Sequence, residues 1–231
     1  MKVFNILTIS IYFIIGACHV SYAQDFDKGL EAAQSGNFKV AIKEWTPLAE
    51  NGNSQAQEML GIVFQQGLGG AKNYEEAFMW TNLAAQQGSP TAQNRLGDYF
   101  LKGLGITENR NQAMEWFKLA SEQGHLEALT NQGIIYMLTE DFEKAIVVYK
   151  RAASRGEPRA QYSLGLMYEK GIGFAPNNIL AFMWYDLSSS NQYEFSITSR
   201  DNLLKIMSNE EIEKARAIAR NCLMSSYKNC D

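Results

Sequence analysis

Apolar residues recur along this chain at helical spacing, and the runs they make come back again and again. Between residues 54 and 66, Ala56, Leu60, Val63 and Phe64 fall on one face of a helix, with polar residues between them. The stretch Gly67-Leu68-Gly69-Gly70 then stops that helix, because glycine readily takes the left-handed turn that closes a helix end. A second periodic run starts near Asn73, carries Ala77, Trp80, Leu83 and Ala84 on one face, and ends at Gly88. The pattern predicts two helices joined by a glycine loop.

The same text returns with variations. "AQEMLGIVFQQGLGGAKNYEEAFMWTNLAAQQG", "AQNRLGDYFLKGLGITENRNQAMEWFKLASEQG", "ALTNQGIIYMLTEDFEKAIVVYKRAASRG" and "AQYSLGLMYEKGIGFAPNNILAFMWYDLSSSNQ" are versions of one unit, and "GLEAAQSGNFKVAIKEWTPLAENG" is an earlier one. An inner glycine marks each unit at Gly29, Gly61, Gly97, Gly133 and Gly165, and an inner alanine at Ala41, Ala77, Ala113, Ala145 and Ala181. From each alanine to the next glycine the gap is always 20 residues; from glycine to alanine it is 12, 16, 16, 12 and 16. All length variation therefore sits in one place, which must be a loop, since packed helices do not tolerate insertions. The small marker residues are expected where paired helix backbones approach closely. Five repeats follow, at about 25–52, 53–88, 89–124, 125–156 and 157–193, within a body of 24–193. Beyond them "SITSRDNLLKIM" reads as a helix, and Ser208 with Glu211 forms a capping box that opens another through "EEIEKARAIARNCL". Residues 194–231 are thus expected to be a helix pair closing the open end of a stack.

The arrangement "A…LG..Y..G.G……A..W…AA.QG" over 36 residues resembles the Sel-one-like repeat (SLR) family, a relative of the tetratricopeptide repeat, from about residue 25 to 207. The first and fourth units depart from it: they lack the Gly-x-Gly loop, and their shorter spacing resembles the tetratricopeptide turn. The resemblance implies an all-α fold, a right-handed alpha-solenoid of stacked helix-turn-helix repeats with a C-terminal capping helix pair. It also implies that the first helix of each pair lines a concave face. Its register places Glu58, Ile62 and Gln65, then Asn94, Asp98 and Leu101, on that face. The later units contribute Thr130, Ile134 and Met137, then Tyr162, Leu166 and Glu169. Ile62, Ile134 and Leu166 would make a partly apolar row suited to a peptide or partner helix; the alternative is that these residues pack against neighbouring first helices.

The N-terminus bears on where this happens. Met1-Lys2 gives a basic start, Val3–Ile15 is an apolar run too short to span a bilayer, and Ser21-Tyr22-Ala23 is a small-x-small cleavage site. Residues 1–23 read as a secretory signal, placing the protein in a bacterial periplasm or outside the cell. Ile15-Gly16-Ala17-Cys18 also resembles a lipobox, which would put a lipid on Cys18 and anchor the chain to the outer membrane. In either case Cys222 and Cys230 remain as an even pair in an oxidising compartment. Eight residues of unbroken helix advance about 12 Å. A disulfide between these two therefore requires the helix to end within "SSYKN"; free thiols are the alternative.

Composition removes other classes. The 231 residues carry a formal charge of −4 with no strongly basic stretch, which argues against nucleic acid. Lys150, Arg151, Arg155 and Arg159 read as a solvated helix face. Of two histidines, His19 lies in the signal and His125 at a turn. The Gly-x-Gly pairs (Gly67/Gly69, Gly103/Gly105, Gly171/Gly173) follow helices, which makes them helix stops and removes the strand context of a nucleotide loop. The tryptophans Trp45, Trp80, Trp116 and Trp184, with Tyr136, Tyr149 and Tyr168, fall mostly on repeat core positions. No catalytic residue, metal or cofactor is expected. The functional expectation is a monomeric, non-catalytic interaction scaffold for a protein or peptide, touching a membrane only through Cys18. The alternative is a beta-lactam-binding or hydrolysing enzyme similar to cysteine-rich SLR proteins. Those carry a cysteine pair in each repeat, where this chain has one pair in its body.

Overall fold

A computed structural model describes residues 26–227 and Cys230; residues 1–23, expected to be a secretory signal, lie outside them with Cys18 and His19. The described residues are all-α, in twelve helices. They divide into two compact units, one through Asn109 and one from Arg110.

The first unit holds α1 (26–34), α2 (Phe38–Glu50), α3 (Ser54–Gln66), α4 (Tyr74–Gln86) and α5 (Pro90–Lys102). Each start is chemically marked. Asn37, Asn53, Asn73 and Ser89 cap α2 to α5 by accepting a backbone N–H three residues on, and Pro90 occupies the first turn of α5. Consecutive helices pack on each other, and Trp45, Leu48, Leu60 and Val63 form the centre of the core. The Trp45 indole donates to the Phe26 carbonyl at 3.2 Å, tying α1 to α2.

The second unit holds α6 (Arg110–Glu122), α7 (Leu126–Leu138), α8 (Phe142–Ala153), α9 (Pro158–Lys170), α10 (Asn178–Ser190), α11 (Glu194–Leu203) and α12 (Asn209–Met224). Its core runs from Leu129 through Tyr149, Leu164, Phe182 and Tyr185 to Ile212 of the closing helix. The capping box of Ser208 and Glu211 is present. Residues 204–206 form a turn after Leu203, so the helix expected through "SITSRDNLLKIM" ends earlier than its sequence suggested.

The marker alanines are fully buried. The expected close approach of helix backbones is present: a Cβ on Gly61 would lie 3.4 Å from the Ala77 carbonyl oxygen, and one on Gly165 3.2 Å from that of Ala181. Gly29, Gly61, Gly133 and Gly165 also each seat the side chain four residues beyond the alanine of their own repeat. A Cβ on Gly29 would strike Trp45, on Gly133 Tyr149, on Gly61 Thr81, and on Gly165 Tyr185 at 2.6 Å. Leu83, expected on the packed face of α4, is 37% exposed.

The Gly-x-Gly loops have a divided task. The first glycine is left-handed and closes the helix: Gly67 (φ 73°), Gly103 (φ 63°) and Gly171 (φ 68°). The second lies against the start of the preceding repeat's second helix. A Cβ on Gly105 would come within 2.8 Å of the Tyr74 backbone, and one on Gly173 within 3.2 Å of Phe142.

The chain leaves α12 through Ser226 (φ 52°) and Tyr227 (φ 64°), both left-handed. The Tyr227 N–H closes back on the Cys222 carbonyl at 2.7 Å. This reversal brings Cys230 back to Cys222, with α-carbons 4.5 Å apart, and the two form a disulfide. Among the described residues no helix is long and apolar enough to cross a membrane.

Candidate binding surface

In the first unit, α3 carries Glu58, Ile62 and Gln65, and α5 carries Asn94, Asp98 and Leu101. The polar members are already engaged. Glu58 accepts from the Ser89 hydroxyl at 2.7 Å, and Gln65 accepts from Arg95 at 2.6 Å, so both stitch α3 to α5 of the next repeat. Asp98 pairs with Lys102 at 3.5 Å along α5, and Asn94 is buried. Ile62 and Leu101 are half-buried apolar side chains.

The second unit repeats this division. Thr130 on α7 is 1% exposed, a position that removes it from any accessible face, and donates to Glu157 at 2.7 Å. Glu169 on α9 accepts from Tyr185 at 2.8 Å and from Lys170 at 2.7 Å. Burial pushes the Glu169 carboxyl up, but the bonds from Lys170 and Tyr185 outweigh it and hold the group below its ordinary range. Met137 and Tyr162 pack against the core, and Ile134 and Leu166 are half-buried. Tyr162 also anchors an aromatic group, 5.4 Å from Tyr193 and 6.3 Å from the exposed Phe195 by ring centroids. Six of the twelve candidates, Glu58, Gln65, Asn94, Asp98, Thr130 and Glu169, are thus buried or bonded within the fold. The accessible remainder is mainly apolar.

The glutamines of the "AQ" doublets escaped sequence reasoning. Gln57, Gln93 and Gln161 are buried and donate to the carbonyls of Ala49, Ala85 and Ala153, each eight residues earlier, at the end of the preceding helix. Each strap joins one repeat to the next and contributes about 1 kcal/mol. In the fourth repeat Leu129 holds that position, and Gln132 reaches back instead to Phe117 and Ser121. The recurring doublet was the available signal.

The remaining candidates are structural or dispersed. Trp45, Trp80, Trp184, Tyr149 and Tyr168 are buried, and Trp116 and Tyr136 half-buried. Arg159 pairs with Glu127 at 2.9 Å. His125 caps α7 by position, without a side-chain cap bond. Ser225 and Lys228 have the Ser-x-x-Lys spacing of beta-lactam-binding enzymes. The Ser225 hydroxyl donates to the Cys222 carbonyl at 2.9 Å, and Lys228 lies outside the described residues. Among the described residues no three His, Cys, Asp or Glu side chains are grouped to hold a metal.

Residues 54–89, 90–125, 131–157 and 158–193 match the Sel1 repeat family model. The chain belongs to the Sel1 repeat family. Proteins of this repeat class generally mediate protein–protein interaction. A Sel1 repeat protein from Oxalobacter formigenes superposes with a TM-score of 0.71 at 24% identity, over 87% of this chain and 86% of its own. PilW, described as a type IV pilus biogenesis factor, gives a TM-score of 0.55 at 16% identity over 90% of each chain. These two likenesses concern the fold. Among curated proteins, the chitin synthase regulator SKT5 of Saccharomyces cerevisiae is 34% identical over 79 residues. That match takes in 33% of this chain and 11% of the yeast protein, so the chain spans about a tenth of its relative.

Proposed function

We propose that this chain is an exported, non-catalytic adaptor, and that the first helices of its repeats receive an apolar segment of a partner protein. One observation carries the reading: Ile134 and Leu166 in the second unit, with Ile62 and Leu101 in the first, stay half-buried on helices whose polar candidates are already committed to the fold. Apolar side chains left at a surface, rimmed by satisfied polar groups, suit partner contact. Export to a periplasm or the medium is supported by the signal-like residues 1–23 and by the Cys222–Cys230 disulfide, a bond that persists in oxidising compartments. The regulatory role of the yeast relative fits an adaptor.

A photocrosslinking residue at position 134 or 166 should capture a discrete envelope partner, and one at the exposed Val147 of α8 should not. Ile134→Asp with Leu166→Asp should abolish capture while circular dichroism stays native. Undiminished capture by that folded double variant sinks the surface. Export is tested separately: sequencing should find a mature start at Gln24, and globomycin-sensitive processing would instead assign lipidation at Cys18. Full-length protein confined to the cytoplasm would remove the exported reading.

A further inference from the structure

The second unit contains a cavity of ≈ 540 Å³ on elements other than α7 and α9. Lys150 and Arg151, in the last turn of α8, supply one wall, with Ser154 at the helix end. Trp184 of α10 supplies another. The turn after α12 closes the third side with Ser226, Tyr227 and Cys230. The sequence-level picture of Lys150 and Arg151 as a solvated face is incomplete, because both line this space.

Four properties point the same way. The volume falls in the range of small-ligand sites, about 300 to 1,000 Å³. Two cations stand on one wall, and the Arg151 guanidinium makes no ion pair or hydrogen bond among the described residues. The planar fork of arginine matches a carboxylate, with two parallel N–H bonds available. The side chain of Trp184 is 2% exposed, and its indole N–H is buried with no acceptor among the described residues, although buried polar groups are nearly always paired.

The third wall is built at conformational cost. Ser226 and Tyr227 both hold left-handed backbones that L side chains seldom adopt. Such outliers persist where surrounding structure over-determines them. Here the Cys222–Cys230 disulfide holds the turn on one side, and on the other the Tyr227 hydroxyl lies where Gly156 leaves room, 3.6 Å from the position a Cβ would take. The bond therefore shapes a wall as well as closing a helix.

We infer that the cavity between the end of α8, Trp184 and the disulfide-held turn binds a carboxylate that carries an apolar or aromatic group. Arg151 takes the carboxylate, and Trp184 and Tyr227 flank the apolar part. That chemistry occurs in free organic acids and at the carboxyl terminus of a peptide. The site does not depend on the adaptor surface of α7 and α9.

The test is a titration of full-length mature protein labelled with ¹⁵N, following the four tryptophan indole signals. The probes are 3-phenylpropionate, the peptide Gly-Ser-Leu-Phe with a free carboxyl, and its C-terminal amide. The Trp184 indole, assigned by Trp184→Phe, should shift with both acids and stay still with the amide. Equal response to the amide, or no shift with either acid at millimolar concentration, overturns the inference. The folded Arg151→Gln variant should weaken acid binding at least tenfold, and Arg151→Lys should recover part of it; unchanged affinity in Arg151→Gln also overturns it. A peptide bound tenfold more tightly than phenylpropionate assigns the site to a carboxyl terminus, and the reverse order assigns it to a free acid; either order supports the carboxylate chemistry.

Discussion

Two kinds of repeat coexist in this chain, and the contrast between them shows what the loop is for. The repeats of α3–α4 and α9–α10 use a long Gly-x-Gly loop, and the repeat of α7–α8 uses a three-residue turn at 139–141. In the long form the capping asparagine bonds back nine residues, Asn73 to Phe64 and Asn177 to Tyr168. In the short form Asp141 bonds back five, to Tyr136. Both forms deliver the second helix to the same place, because the ring seat survives in each: Tyr149 over Gly133 in the short form, Tyr185 over Gly165 in the long. The loop adds something the turn lacks, a glycine that docks on the previous repeat.

The sharpest way to break that comparison is Gly105→Ala. It combines a left-handed position (φ +71°) with a Cβ 2.8 Å from the Tyr74 carbonyl, and about 3 kcal/mol should be lost in urea unfolding. Gly88→Ala, also left-handed (φ +93°) but with nothing within 4 Å of its Cβ, is the matched control and should lose only about 1 kcal/mol of backbone strain. If the two variants unfold alike, the docking role is wrong. Gln93→Leu installs the residue that the short repeat carries at 129. It removes one bond to the Ala85 carbonyl, which keeps the Gly88 N–H, and should cost about 1 kcal/mol in the same assay. Glu140→Gly works in the other direction. Glu140 is left-handed (φ 58°) seven residues past Gly133, where Gly36 stands seven past Gly29 in the other short repeat. Removing its Cβ should raise stability by up to about 1 kcal/mol, after the entropy glycine adds to the unfolded chain. The smallest effect is a slope. Burial pushes the Tyr149 phenol up to about 12, against the opposing influences of Ser163 and Arg159. A raised folded pKa means stability intact below the unfolded value of 10.0 and lost as pH climbs towards about 12. Tyr149→Phe should flatten thermal stability between those pH values, and an unchanged profile would show that the ring seat is wetter than described.

Much of this was legible beforehand because repetition amplifies weak signals. The constant gap of 20 residues and the variable gap of 12 or 16 located helices and loop without reference to any contact. What stayed hidden depends on the partner of each residue. A small residue announces that something comes close, but cannot say whether it is a backbone or the ring of Tyr185. The candidate surface suffered similarly. Helical register correctly set Glu58, Gln65 and Thr130 on first helices, but Ser89, Arg95 and Glu157 lie about thirty residues away, and a single helix carries no trace of them. The basic cluster at the end of α8 divided for the same reason. Arg159 found Glu127, whereas Arg151 faces a cavity whose far wall comes from the tail some 75 residues later.

The glutamine straps bear on how the molecule would respond to tension. Each joins atoms only eight residues apart, so its rupture frees a short length of chain. Contacts in a solenoid are confined to neighbours, and losing one strap leaves the next in place. A chain pulled from its ends would thus lengthen in small increments and re-form each clasp as the load fell. An adaptor tethered between two moving bodies would behave as a spring with discrete stops, set by Gln57, Gln93 and Gln161, with the longer clasp of Gln132 replacing them in the fourth repeat.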